Sequence, residues 1–425
     1  MIKMSSIDLL NSFHQFKRRL NWFVNGMTFR KASNFFVTGM QYALKSERLF
    51  SCPVMVKIDV SPLCNLQCTI CVHAREEGNP VLEKQHFDKT MKMSFERYRE
   101  IIDQVKGKSF AVSPYNLGDP LMHPDIEKMC AYAHDAGLNV HISTNFSFQL
   151  SDERIRSIAR CGITHFTVCI DGMTQDIYSM TRVGGRIDLV KSNLERLCAY
   201  KKEHRLRYPI IEAQYLKFPH NLHQLPDARE WLEKIGVDKM VDFYGTLHNY
   251  TVDVPGNFTA YGPKKKGHLP LCYWPYFFLV INYNGDVIPC CWYRMYAHNS
   301  SNPKDRSTVL GNIFESSLQE IWNSEPYRIA RRLVSRPELA VSNPSYRNHY
   351  CYHCPLIFET DWRKNHRIAP EWTFDDVYEM IDGRPVRRPD EQAVLHRERR
   401  MNKNADVPTV AGDRGNPQVA ETGGE

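Results

Sequence analysis

The chain has 425 residues, 42% of them hydrophobic and 24% charged, which excludes a disordered polymer and leaves room for two domains around a substantial core. The formal net charge of +7 is concentrated at the start, where residues 1–50 carry eight Lys/Arg against Asp8 and Glu47. No apolar run approaches the roughly 18–20 residues of a membrane span. The opening Met1-Ile2-Lys3-Met4-Ser5 lacks the apolar core of a secretion signal, so a cytoplasmic location is expected.

Residues 1–50 read as a basic helical lead. The stretch Phe16-Lys17-Arg18-Arg19-Leu20-Asn21-Trp22-Phe23 suits either a helix packed across a domain with a solvated basic face, the preferred reading, or peripheral contact with an acidic membrane surface. Basic and aromatic residues are not interleaved as in a nucleic-acid module, and no nucleic-acid partner is expected. From residue 54 the pattern alternates β-rich runs (54–60, 109–116, 139–144, 165–171, 209–217, 239–244) with amphipathic helical stretches (94–106, 124–136, 151–161, 186–204, 223–235). Ser94 and Ser151 are expected N-caps, Pro124 a first helical residue, and Gly137, Gly162 and Gly236 helix stops. Six strands separated by helices imply parallel pairing, with chemistry at the carboxyl ends of the strands. The fold class expected is α/β: a partial (β/α)6 TIM-like barrel over residues 51–250.

After Gly245 the rhythm changes. Residues 246–270, which include Lys264-Lys265-Lys266, read as a linker. Two apolar runs around Asn284-Gly285 then predict a hairpin, and a helical segment follows near 317–333. A small α+β domain is expected over 251–365. Residues 366–425 form a C-terminal extension, expected to be a disordered tail beyond about residue 385.

Of thirteen cysteines, Cys52, Cys130, Cys161, Cys169, Cys198 and Cys291 are scattered along mostly apolar stretches and read as core thiols. The triplet Cys64-Asn65-Leu66-Gln67-Cys68-Thr69-Ile70-Cys71 differs, because it follows the first strand. Three thiolates so close can hold three corners of a cubic iron–sulfur cluster and leave the fourth iron open. Structural zinc instead wants four ligands, and His73 lies too close to supply the fourth comfortably.

The triplet resembles the defining motif of the radical S-adenosylmethionine (radical SAM) enzymes, with Ile70 where those families often place an aromatic. The resemblance implies a SAM-binding [4Fe-4S] cluster at Cys64, Cys68 and Cys71, reductive cleavage of SAM to a 5′-deoxyadenosyl radical, and a flavodoxin- or ferredoxin-type electron donor. It further implies SAM contacts at successive strand ends. Main-chain contact is expected at Ile70. Gly118, Asp119 and Pro120 stand for a Gly-Glu-Pro segment, and Ser143 and Asn145 for a Ser-Thr-Asn-Gly in which Phe146 replaces glycine. Cys169 and Asp171 stand for a Val-Ser-Leu-Asp-Gly, and Gln214, with Lys217 and Asn221, continues the pattern. Arg182 is either a contact to an anionic group or a surface arginine beside a Gly-Gly turn.

Cys272, twelve residues, Gly285, four residues and Cys290 resemble the opening of the SPASM and twitch extensions of this superfamily, with Cys351 and Cys354 completing four ligands for an auxiliary [4Fe-4S] cluster. Cys291 could replace Cys290. Zinc remains an alternative at this second site, since Cys₂…Cys₂ is also a zinc-ribbon spacing. The layout is similar to the twitch of the 2-deoxy-scyllo-inosamine dehydrogenases, radical SAM alcohol oxidases. The resemblance therefore implies hydrogen abstraction from a small polar, sugar- or cyclitol-like metabolite and its oxidation, with the second cluster accepting an electron. A peptide-modifying maturase is the alternative. A zinc-stabilised binding module or a non-catalytic electron carrier are alternatives of another class.

Overall fold

The computed structural model describes residues 22, 24–69, 71–74, 87–218, 220–244, 247–248, 260–263, 267–291, 309–349, 351–352, 354, 356–360, 366–367, 376, 378–381, 384–388 and 390–405. Its contacts divide into two units, Met1–Arg367 and Ile368–Glu425. In the first, helix α1 (Phe29–Ala43) precedes β1 (Met55–Ile58), α2 (Phe95–Val105), β2 (Ala111–Ser113), α3 (Ile126–Asp135), β3 (Asn139–Thr144), α4 (Asp152–Arg160), β4 (Ile163–Cys169), α5 (Gln175–Thr181), α6 (Ile187–Glu203), β5 (Ile210–Lys217), α7 (Leu225–Ile235) and β6 (Lys239–Tyr244). The six strands pair in parallel in chain order, which gives the partial barrel expected from the alternation.

Side-chain period decides what the strands bury. Val56, Ile58, Val112, Val140, Ile142, Phe166, Val168, Ile211 and Ala213 belong to one continuous core with apolar residues of the helices, such as Ile101, Met129, Ile158 and Leu194. Helix boundaries follow local chemistry. The Ser94 and Ser151 hydroxyls accept from the N–H groups of Arg97 and Arg154, each at 3.2 Å. Gly236 closes α7 in the left-handed region at φ +85°. Pro124 does not occupy a first helical position. Asp125 is the cap and α3 starts at Ile126, because the chain ahead of it is held in a short 3₁₀ turn over Pro120–Met122.

The chain continues through β7 (Leu247–His248), β8 (Ala260–Pro263), α8 (Trp274–Phe277), β9 (Phe278–Ile281), β10 (Asp286–Ile288), β11 (Gly311–Asn312), α9 (Leu318–Trp322), α10 (Glu325–Ser335), α11 (Leu339–Ser342), β12 (Phe358–Thr360) and β13 (His366–Arg367). The hairpin around Asn284-Gly285 forms as β9–β10 and does not stand apart. β9 pairs in parallel with β1, so one nine-stranded sheet runs β11-β10-β9-β1-β2-β3-β4-β5-β6. The expected linker is corrected as well: β7 pairs with β13 and β8 with β12, so the segment before Cys272 is tied to the segment after Cys354. Lys264-Lys265-Lys266 lies outside the described residues, as do Ile70, the final stretch 406–425 and all of the 16–23 lead except Trp22.

In the second unit β14 (Tyr378–Ile381) and β15 (Arg384–Arg387) form an antiparallel ribbon, followed by α12 (Asp390–Ala405). Buried Asp376 pairs with Arg400 on that helix at 2.8 Å, so 390–405 is a helix and not the expected disordered tail. Among the described residues no helix is long and apolar enough to cross a membrane.

Candidate functional site

The loop that leaves β1 carries Cys64, Cys68 and Cys71 across the end of the barrel where the strands finish. It is zipped to the turn after α5: Gln67 N–H donates to the Val183 carbonyl at 2.9 Å and Thr69 N–H to the Thr181 carbonyl at 3.1 Å. Donors also point at the sulfurs. Leu66 N–H lies 3.5 Å from Cys64 Sγ, Asn145 Nδ2 lies 3.8 Å from the same atom, and Arg182 Nη1 lies 3.9 Å from Cys68 Sγ. Burial pushes the Cys64 thiol well up and that of Cys68 to about 11, against the pull of Arg182. Donors aimed at the Cys64 and Cys68 sulfurs fit thiolates that share positive metal charge. His73 instead packs its ring at a tilt against Phe87, with centroids 4.7 Å apart.

Two buried carboxylates brace this mouth. Asp119 accepts from Thr144 Oγ1 at 2.9 Å, from Asn145 N–H at 2.7 Å and from Leu121 N–H at 3.0 Å, joining the ends of β2 and β3. Burial still raises its pKa to about 6. Gly118 beside it cannot carry a side chain: an added Cβ would stand 2.2 Å from the Ser61 carbonyl oxygen and 2.3 Å from that of Leu63. The loop after β2 thus presses on the entry to the cysteine loop, and Pro120 opens the buried turn behind it.

Asp171, fully buried, accepts from Leu216 N–H at 2.7 Å and pairs with Arg182 Nε at 2.5 Å. Arg182 is therefore no surface residue. It is held between a carboxylate and Cys68. Asn221 clamps the same corner, donating to the Asp171 and Leu216 carbonyls at 2.8 Å each. Ser143 hydrogen-bonds toward Cys169, and Cys169 pairs across the ladder with Gln214. Lys217 turns away from this set and forms a buried pair with Asp242 at 3.0 Å.

The other cysteines also converge. Cys272, Cys290, Cys291, Cys351 and Cys354 line a cavity of about 150 Å³, walled by apolar side chains that include Trp274, Pro289, Val334 and Ile357. Burial pushes the Cys272 thiol up to about 12, with Cys354 and Cys291 adding to the effect. Arg331 of α10, fully buried, donates to the Pro275 carbonyl at 2.9 Å and lies 4.7 Å from the Trp322 ring centre, fixing the wall. Among the described residues no three His, Cys, Asp or Glu groups converge on a single metal ion. Five thiols around one apolar cavity are enough to supply the four corners of an inorganic cluster.

Sequence reasoning passed over the barrel interior. The Tyr115 hydroxyl and His141 Nδ1 share a hydrogen bond at 3.3 Å, His141 Nε2 meets Thr167 Oγ1 at 3.0 Å, and Thr167 donates to Glu212 at 3.4 Å. Lys57 Nζ sits 3.9 Å above the Tyr115 ring centre. Trp22 closes the far end, its indole N–H donating to His165 Nδ1 at 2.8 Å. His141, Thr167 and Glu212 lie two positions before Ser143, Cys169 and Gln214 on the same strands. That period of two was the available signal: His141 and Ser143, Thr167 and Cys169, and Glu212 and Gln214 recur at alternate positions, each pair separated by an apolar residue.

Comparison with known proteins matches residues 58–232 to the radical SAM superfamily and residues 272–355 to SPASM, an iron-sulfur cluster-binding domain. A tungsten-containing aldehyde ferredoxin oxidoreductase cofactor-modifying protein of Pyrococcus furiosus is 24% identical over 305 residues, covering 64% of this chain and 81% of that protein. A PqqA peptide cyclase of Rhodopseudomonas palustris is 23% identical over 306 residues, covering 65% and 74%. Among solved structures, BtrN in complex with AdoMet and 2-DOIA has a TM-score of 0.42 at 16% identity, covering 71% of this chain and 92% of that one. Streptococcus suis SuiB bound to S-adenosylmethionine has a TM-score of 0.42 at 15% identity, covering 77% and 79%.

Proposed function

Because the chain belongs to the radical SAM superfamily and carries a SPASM iron–sulfur extension, we propose that its barrel interior receives a small polar alcohol or amine, which it oxidises at a C–H carbon. In this reading Cys64, Cys68 and Cys71 hold the SAM-binding [4Fe-4S] cluster, and Cys272, Cys290, Cys351 and Cys354 hold an auxiliary one. Loaded with these groups, the site would be supplied with hydrogen-atom abstraction from a substrate carbon and with an acceptor for the electron left behind. The chain's own residues do the rest. Gly118 and Pro120 through their main chain, with Ser143, Asn145, Cys169 and Gln214, would contact bound SAM, and Ile70 is the further main-chain contact expected from the motif. Asp119 and Asp171 hold the loops in place, and Arg182 balances charge beside Cys68. The single supporting observation is the line of hydrogen bonds from Tyr115 through His141 and Thr167 to Glu212. A proton released by the substrate at Tyr115 passes along it to the Glu212 carboxylate.

The test is to incubate the reduced, anaerobically prepared enzyme with SAM and carbon-deuterated polyols, aminocyclitols and sugars, following label into 5′-deoxyadenosine. Transfer from a polyol with formation of a carbonyl product is the expected result. Transfer only from a deuterated peptide replaces this reading with peptide modification, which the peptide cyclase relative supports. A reduced electron-transfer protein of the flavodoxin or ferredoxin type is the proposed donor, and a soluble compartment such as the cytoplasm the proposed setting.

A further inference from the structure

Helix α1 is amphipathic in reverse. At 100° per residue, Phe29, Phe36, Met40 and the C-cap Leu44 fall within about 60° of one line along the helix. That line faces outward: Phe29 is 89% exposed, Phe36 66% and Leu44 75%, with Phe50 beside them at 86%. The opposite side is polar and buried. Asn34 accepts from Cys52 N–H at 2.8 Å and donates to the Cys52 and Lys108 carbonyls at 3.0 and 3.2 Å. Lys31 Nζ donates to the Gly137 carbonyl at 2.5 Å, and Thr38 donates to the Asn34 carbonyl at 2.7 Å. Rotating the helix to hide its apolar side would break the Asn34 and Lys31 bonds to neighbouring segments and leave buried donors unpaired. The outward stripe is therefore fixed in place by the inward one, and a contiguous apolar surface of this kind marks a binding face.

We propose that this face docks on an anionic lipid bilayer. Charge decides among the occupants. Arg30 and Arg48 are exposed at its rim, and Lys17, Arg18 and Arg19 precede it in the sequence. Between Asp8 and Phe50 the one carboxylate in the sequence is Glu47. It is taken by Arg332 at 2.5 Å and Arg336 at 3.1 Å. A second copy would bring arginines against arginines with no acid to meet them, whereas an acidic headgroup layer complements the rim while the phenylalanines enter the acyl boundary. Cys52, Lys108 and Gly137 precede β1, β2 and β3, so α1 covers the end of the barrel where strands begin. A docked bilayer thus leaves the cysteine mouth on the far side, open to substrate and electron donor.

Flotation of the full-length, anaerobically prepared protein with phosphatidylcholine vesicles, and with the same vesicles containing phosphatidylglycerol, tests this. The protein should float with the anionic vesicles, much less with the neutral ones, and be released by high salt. Phe36→Asp combined with Leu44→Asp should weaken binding at least about tenfold. Arg30→Glu combined with Arg48→Glu should abolish the preference for anionic lipid. All variants should retain the wild-type melting temperature and 5′-deoxyadenosine formation, and the milder pair Phe36→Ser and Leu44→Ser serves if the aspartates disturb folding. Absence of wild-type binding overturns the proposal, as does unchanged binding by the variants. So does a dimer dissociated by these substitutions without any vesicle binding, which assigns the face to a second copy. Binding that appears only after removal of residues 1–21 assigns it to the chain's own lead.

Discussion

The two cysteine sites of this chain are built on opposite plans. At the barrel mouth one short loop supplies three thiols, surrounded by polar groups: Asn145, Arg182 and the braced carboxylates Asp119 and Asp171. In the second site the thiols come from separate segments and the walls are apolar. Three ligands leave one corner of a cubic cluster available for a polar guest. Ligands from several segments enclose it, and an apolar wall excludes the guest while leaving electron transfer possible. Under the proposed function the first site recruits SAM and the second stores an electron.

Substitutions break this contrast in graded ways. Cys68→Ala should reduce 5′-deoxyadenosine formation to background and lower iron from about eight to about four per chain, read by product assay and metal analysis. Cys351→Ala should lower iron equally yet leave SAM cleavage intact and uncoupled, with no oxidised product. Unimpaired turnover there would remove any essential role for the second cluster. Asp171→Asn leaves the Arg182 guanidinium buried without its partner and should cost about 3–5 kcal/mol in denaturant melts, with weaker SAM binding alongside. Cys290→Ala and Cys291→Ala sharpen the comparison, because the cavity presents five thiols for four corners. The first should lose the auxiliary iron and the second keep it, read by electron paramagnetic resonance of the reduced protein. Smallest of all, Asn34→Ala should cost about 1–3 kcal/mol, since it unpairs the Cys52 amide.

Local chemistry made much of this architecture legible beforehand. Ser94 and Ser151 announced their helices, alternation marked six strands, and the spacing Cys64/Cys68/Cys71 marked the mouth. What escaped was set by partners distant in sequence. The β9–β10 hairpin carries a local turn signal, but nothing in it tells that β9 will extend the barrel sheet beside β1. Residues 246–270 look like a linker because β7 and β8 are very short and find their partners about a hundred residues later. Lys217 reads as a mouth residue by position in a motif, yet strand alternation turns it toward Asp242. The reversed polarity of α1 was hidden because its inward residues bond to backbone carbonyls, which leave no trace in composition. Arg182 could be read either way until the turn after α5 was folded onto the cysteine loop.

The ladder between β1 and β9 has one more consequence. Cys64 follows the finishing end of β1, whereas β10 runs the other way and delivers Cys290 near the end where β1 starts. The four-residue pairing of Met55–Ile58 with Phe278–Ile281 therefore acts as a ruler, spanning about 13 Å at 3.3 Å per residue. The strands that carry the two sites are thus joined by hydrogen-bonded backbone. Lengthening both strands by one pleat would stretch that span by about 7 Å while leaving every side chain on its own face.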